Sequence, residues 1–256
     1  MSRGWLALVK KELGSFFTRP VIYVLLGLCT SIIGIVFTVS MFTYVKRSLE
    51  LSARAEQLGF NLHEQMIQGY LSVVHYIFMF FICFLSVHFF TEEKKQGTLS
   101  LLLSSPLSSW QLVLGKFFGG ALFLLFLCGV ASLFPLGLSF YIDFQWMPFF
   151  VSIFGLFLVL LVYMSAAMMI SATTTSSLLA PFLSLVVILL LLLLSTGQYF
   201  ASSPEARLFF SYLSFERHFG FFRIGHFSLS SALFFTSLSV FSLAACERLL
   251  ESHRWS

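Results

Sequence analysis

The chain has 256 residues, of which 58% are hydrophobic and only 10% charged. A soluble domain usually carries roughly 25% charged residues, so this composition cannot build a surface facing water and excludes a soluble globular fold. The formal net charge of +4 is small and scattered, which argues against nucleic-acid binding.

In chain order, Trp5, Val9, Leu13 and Phe16 recur at helical spacing, with Lys10, Lys11 and Glu12 off that stripe. Residues 1–20 are therefore expected to form an amphipathic helix in the cytoplasmic interface, ended by Arg19-Pro20. Six long apolar runs follow, at about 21–45, 69–91, 116–140, 149–171, 178–197 and 229–247. A helix crossing a hydrocarbon core about 30 Å thick needs roughly 20 apolar residues. The runs are continuous rather than alternating, which favours helices over a β-barrel. The first is too long for the apolar core of a signal peptide. Lys46 and Arg47 also separate it from Ala53-Arg54-Ala55, so it reads as a retained helix. The third needs tilt or a kink, for which Pro135 is available. Short links after runs three and four make runs three to five two tight antiparallel hairpins.

Two further segments read as interfacial. Leu51, Ala55, Leu58, Leu62 and Met66 form an apolar stripe with Glu50, Arg54, Glu56 and Gln57 off it. Residues 198–228 mix Phe209, Phe210, Phe219, Phe221 and Phe222 with Arg207, Glu216, Arg217 and Arg223. That segment is too polar to span and too aromatic for a free loop, and is expected to pack at the outer membrane face. The fold class is an all-α membrane protein with six transmembrane helices and an N-terminal amphipathic interfacial helix, in one domain over 1–256. Six crossings put both termini on one side. A cytoplasmic placement leaves Arg3, Lys10, Lys11, Arg19, Lys94, Lys95, Lys116, Arg248 and Arg254 inside, against six basic residues outside.

Chemistry is sparse. The six runs hold no Asp, Glu, Lys or Arg apart from Lys116 and Glu247 at their ends, which argues against an ion-coupled transporter. Asp143 is the only aspartate, so an aspartyl intramembrane protease is excluded, and no H-E-x-x-H occurs for a zinc protease. No pattern singles out one serine as a nucleophile. The six histidines are dispersed, and Cys29, Cys83, Cys128 and Cys246 form no CxxC pair, so no metal site and no disulfide framework is indicated. Leu114-Gly115-Lys116-Phe117 ends like a phosphate-binding loop, but Trp110 and Phe117 occupy the positions that need Gly and Ser or Thr. Any energy from nucleotide must come from a partner.

The most informative stretch runs from Thr91 to Lys116, through Glu92-Glu93-Lys94-Lys95-Gln96-Gly97-Thr98, an apolar piece containing Leu102, and Ser104-Ser105-Pro106. Charges, a Gly break, a short apolar helix and a Pro stop make a compact cytoplasmic projection that a partner could grip. An ordinary charged turn followed by an interfacial helix fits the same residues.

This stretch resembles the signature of ABC-2 permeases of ABC transporters, E-E-x-x-x-G-T-x-x-L-L-x-S-P-x-S-x-x-x-x-x-L-G-K. Lys11-Glu12-Leu13 through Phe16-Phe17-Thr18-Arg19-Pro20 and Tyr23 resembles the family's approach to its first helix. Tyr212-Leu213-Ser214, His218-Phe219 with Phe222 and Gly225, and Leu249 to Trp255 resemble its gliding-motility and nitrous-oxide-reductase-maturation branch. The chain departs from that branch where His226-Phe227-Ser228 replaces an acidic position, and where Glu251 and Ser252 interrupt the basic end. The resemblance implies a multi-pass permease subunit of a bacterial inner membrane, not itself an enzyme, with no cofactor in this chain. ATP and Mg would sit in two copies of a separate ABC ATPase. A second permease, identical or homologous, membrane lipid and an extracytoplasmic partner complete the implied assembly. Glu12, Glu92, Glu93, Lys94, Gly97, Thr98, Leu102, Ser104 and Pro106 would meet the ATPase, and export or mechanical transmission would follow. A scaffold that recruits a cytoplasmic partner without transport is the alternative.

Overall fold

A computed structural model describes residues 2–50, 66–99, 108–141, 144–197 and 203–254. Helix α1 (Ser2–Thr18) ends at Arg19, and α2 (Pro20–Glu50) starts on Pro20, which suits a helix's first turn because the missing N–H has no partner to lose. Helix α3 (Gln68–Ser86) continues through a π turn (Val87–Thr91) into a single turn, α4 (Glu92–Lys95). Helix α5 (Ser109–Leu138) is followed by α6 (Trp146–Ser171), and α7 (Leu179–Leu193) tightens into a 3-10 turn at Leu194–Thr196. Two short helices, α8 (Pro204–Tyr212) and α9 (Phe215–Arg223), precede α10 (Leu229–Arg254). No strand occurs among the described residues.

Six helices are long and apolar enough to cross a membrane, ending at Glu50, Lys95, Leu138, Ser171, Thr196 and Ser252. Each expected crossing is present, with ends moved by local chemistry. The third starts at Ser109, seven residues before its apolar run, because Ser108 and Gln111 form a capping box. Ser108 Oγ accepts from the Gln111 amide at 3.2 Å, and Gln111 Oε1 accepts from the Ser108 amide at 3.1 Å. Pro135 lies buried inside α5. The stripe over 51–62 lies outside the described residues.

Helices α3 and α6 form the centre, and α2 and α7 the rim. Lipid removes the hydrophobic drive between helices, so close packing must hold them together. Phenylalanine supplies much of that packing: Phe16 of α1 stacks on Phe123 of α5 with ring centroids 4.9 Å apart. Glycine supplies the rest. A Cβ on Gly119 of α5 would come within 2.8 Å of Glu12 Cβ and 3.3 Å of the Val9 carbonyl, so α1 lies backbone-close along the start of α5. The stripe reading of α1 needs one correction: Glu12, expected off the apolar face, is buried, because it faces a lysine of α5.

The 198–228 link also goes further inward than an outer-face cover. Phe215, Phe219 and Phe222 of α9 are fully buried, and a Cβ on Gly155 of α6 would sit 2.2 Å from Phe222. Gly155→Leu should therefore push α9 off α6. The expected result is faster proteolysis or exchange in 203–225, read by hydrogen-exchange mass spectrometry, with α1 and α5 unaffected.

Candidate functional site at the end of α3

The turn after the membrane core of α3 is held from every side. Successive helical residues point about 100° apart, so Thr91, Glu92, Glu93 and Lys94 face four directions, and each finds a partner on another part of the fold.

Thr91 faces α6. A π turn shifts backbone bonds from the i→i−4 pattern, and here the amides of Phe90 and Thr91 both donate to Ser171 Oγ, at 2.9 and 3.0 Å. Thr91 Oγ1 lies 3.0 Å from the same oxygen. Glu92 faces the α1–α2 corner, where it pairs with Arg19 and with His88 Nδ1 at 2.7 Å. Glu93 faces α5: Lys116 Nζ lies 2.8 Å from Glu93 Oε1 and 3.1 Å from Glu12 Oε1. Lys94 turns back to α6 and donates to the Ala172 carbonyl, satisfying an acceptor that the end of a helix leaves open and placing positive charge at its negative pole.

Lys116 is the most demanding member. Its side chain is 1% exposed, and it lies over the Phe90 ring at 5.3 Å. A cation buried this deeply persists only if its charge is matched, and two carboxylates from different elements match it.

The turn then stops cleanly. Gly97 has φ +70°, the left-handed conformation in which glycine is favoured. The Gly97 amide donates to the Lys94 carbonyl at 3.1 Å and the Thr98 amide to the Glu93 carbonyl at 3.0 Å, a Schellman ending. Leu99 is buried beyond it. A cleft of about 410 Å³ opens between α1 and this turn, lined among others by Lys11, Glu12, Arg19, Glu93, Gln96 and Thr98.

Of the nine residues singled out in the sequence, Glu12, Glu92, Glu93, Lys94, Gly97 and Thr98 thus come together. Leu102, Ser104 and Pro106 lie outside the described residues. Sequence reading missed Arg19, His88, Lys116 and Ser171 as members. A lone lysine at the edge of an apolar run and a glutamate at the edge of an apolar stripe were the available signals for the Lys116–Glu12 pair. Ser171 had none, because its role exists only where the π turn meets it. Among the described residues, no group of three His, Cys, Asp or Glu is placed to hold a metal ion.

The model of the ABC-2 family transporter proteins matches residues 6–244. The chain belongs to the ABC-2 family. No curated protein matches it. ABC-2 permeases are transmembrane subunits that are not themselves catalytic and that generally work with an ABC ATPase. Within an ABC-2 permease, a turn tied to α1, α2, α5 and α6 at once can pass a displacement of its tip to most of the bundle.

Proposed function

We propose that this chain is a permease subunit that couples ATP hydrolysis by a separate ATPase to export or to mechanical transmission across the membrane. The observation carrying this reading is the four-way attachment of Thr91 to Lys94. Force applied at the exposed end of α4 has no slack to take up, since each of these residues is bonded to a different neighbour or a different point on one. The cleft beside Glu12, Glu93 and Thr98 gives a partner a place to press. Two ATPase copies, a second permease, identical or homologous, and cytoplasmic termini in a bacterial inner membrane complete the proposed assembly. The gliding-motility-like features near the C-terminal end support that branch over a general lipid exporter. The 91–106 region and α1 form the ATPase contact in this scheme.

The test is ATPase activity of the cassette protein encoded beside this chain, co-purified with it in lipid nanodiscs. Glu93→Lys sets a second cation against Lys116, and Gly97→Pro cannot adopt φ +70°. Both are expected to detach the ATPase or to lower permease-dependent turnover about tenfold, within the usual range of coupling energies. Wild-type behaviour in both variants would remove the coupling role and leave the scaffold reading.

A further inference from the structure

Helix α9 carries charge into the bundle. Its first ring, Phe215, stacks on Tyr163 of α6 at 5.5 Å, and the Phe222 carbonyl near its end accepts from Ser152 Oγ at 2.7 Å. Tyr163 and Ser152 lie seventeen and six residues from the start of α6 at Trp146, or about 26 and 9 Å along its axis. Arg223, at the end of α9, pairs with Glu216 at 2.5 Å and also donates to Ser72 Oγ of α3.

Phe219 organises what surrounds this ion pair. The Arg223 guanidinium lies 5.3 Å from the Phe219 ring centre, and the His75 imidazole of α3 lies 5.0 Å from it. His75 and Tyr163 are fully buried. His75 Nδ1 is 3.3 Å from the Leu71 carbonyl. A carbonyl only accepts, so Nδ1 carries the proton and Nε2 of the neutral ring is a bare acceptor. Among the described residues, His75 Nε2, Tyr163 Oη and Arg223 Nε have no hydrogen-bond partner. One is an acceptor, one a donor, and one can be either.

Buried polar groups in native proteins are rarely left unpaired, and ordered water supplies the partner where protein does not. We propose that the junction of α3, α6 and α9 is a binding site for water, which donates to His75 Nε2, accepts from Arg223 Nε–H and pairs with Tyr163 Oη. The donor set selects a small neutral molecule: the charges of Arg223 and Glu216 already cancel, and the open positions mix donors with an acceptor. Water has access, because the Glu216 side chain is 43% exposed while Arg223 behind it is 13% exposed. The seam between α1 and α5 is packed by phenylalanine and glycine. The seam holding α9 is wet, and its polar contacts can be exchanged through water as α9 shifts.

X-ray radiolytic footprinting of the full chain in lipid nanodiscs tests this, because hydroxyl radicals made from bound water label the nearest side chains even where bulk solvent is excluded. The probe is water itself, with oxygen-18 water to mark the incorporated oxygen. Tyr163 and Phe219 are expected to label about tenfold faster than Phe123 and Phe149, which are equally buried and stand for dry packing. His75→Phe should lower labelling at Phe219 and leave Phe123 unchanged. Tyr163 and Phe219 as silent as Phe123 and Phe149 in the wild-type chain would overturn the site, whether or not the variant folds.

Discussion

Lys116→Met is expected to destabilise the folded chain by about 3–5 kcal/mol, the usual cost of removing one partner from a buried ion pair. The lysine is the shared counter-charge of Glu12 and Glu93, whose side chains are 9% and 19% exposed. Without it, two carboxylates from α1 and α4 face each other in a poorly solvated space. Methionine keeps much of the volume, so the loss reads charge rather than packing. Glu12→Gln with Glu93→Gln in the same Lys116→Met background should recover most of the stability, because neutral amides carry no uncompensated charge. Reversible unfolding in mixed micelles measures both changes. If Lys116→Met alone unfolds like the wild type, the triad is not a structural anchor. If the triple variant stays as weak as the single one, packing and not charge holds the site.

Ser171→Ala should cost about 2–4 kcal/mol, since one hydroxyl serves two buried amides and each orphaned donor costs roughly 1–3 kcal/mol. Alanine leaves the rest of α6 unchanged but removes the acceptor for the Phe90 and Thr91 amides. The π turn then loses the contact that holds its amides, and α3 is expected to fray or to shift register from Val87 onward. Hydrogen exchange should rise first at residues 87–95, ahead of the α5 and α6 cores. Ser171→Thr keeps the oxygen and should retain most of the protection. Uniform exchange across α3 in Ser171→Ala would mean that the π turn stands without its cap.

Different parts of this molecule were legible in the sequence to different degrees. The six crossings were readable because a membrane imposes length and apolarity on each segment separately, so every run carries its own signal. The Glu92–Glu93–Gly97–Thr98 order was readable as a turn because Gly97 is the kind of residue that ends a helix in the left-handed conformation. Helix ends shifted where side-chain chemistry extended them, as Ser108 and Gln111 did for α5 beyond the apolar run.

The amino-acid pattern alone therefore established a polytopic α-helical membrane protein, with a charged cytoplasmic turn between its second and third crossings and no catalytic or metal motif. Each of those properties depends on residues close together in the chain. Pairing across the fold is a different kind of information. Only the packed structure joins Lys116 to Glu12, 104 positions away, Ser171 to the π turn, 80 positions away, and Arg223 to Ser72, 151 positions away. A stripe pattern averages over a helix face, so it placed Glu12 outside. Its burial depends on a lysine that arrives on another helix. Composition likewise put the α8–α9 link at the outer face, because its charges count against spanning. Tertiary packing turns α9 inward, since Gly155 leaves room for Phe222 and the charges of Glu216 and Arg223 cancel each other there.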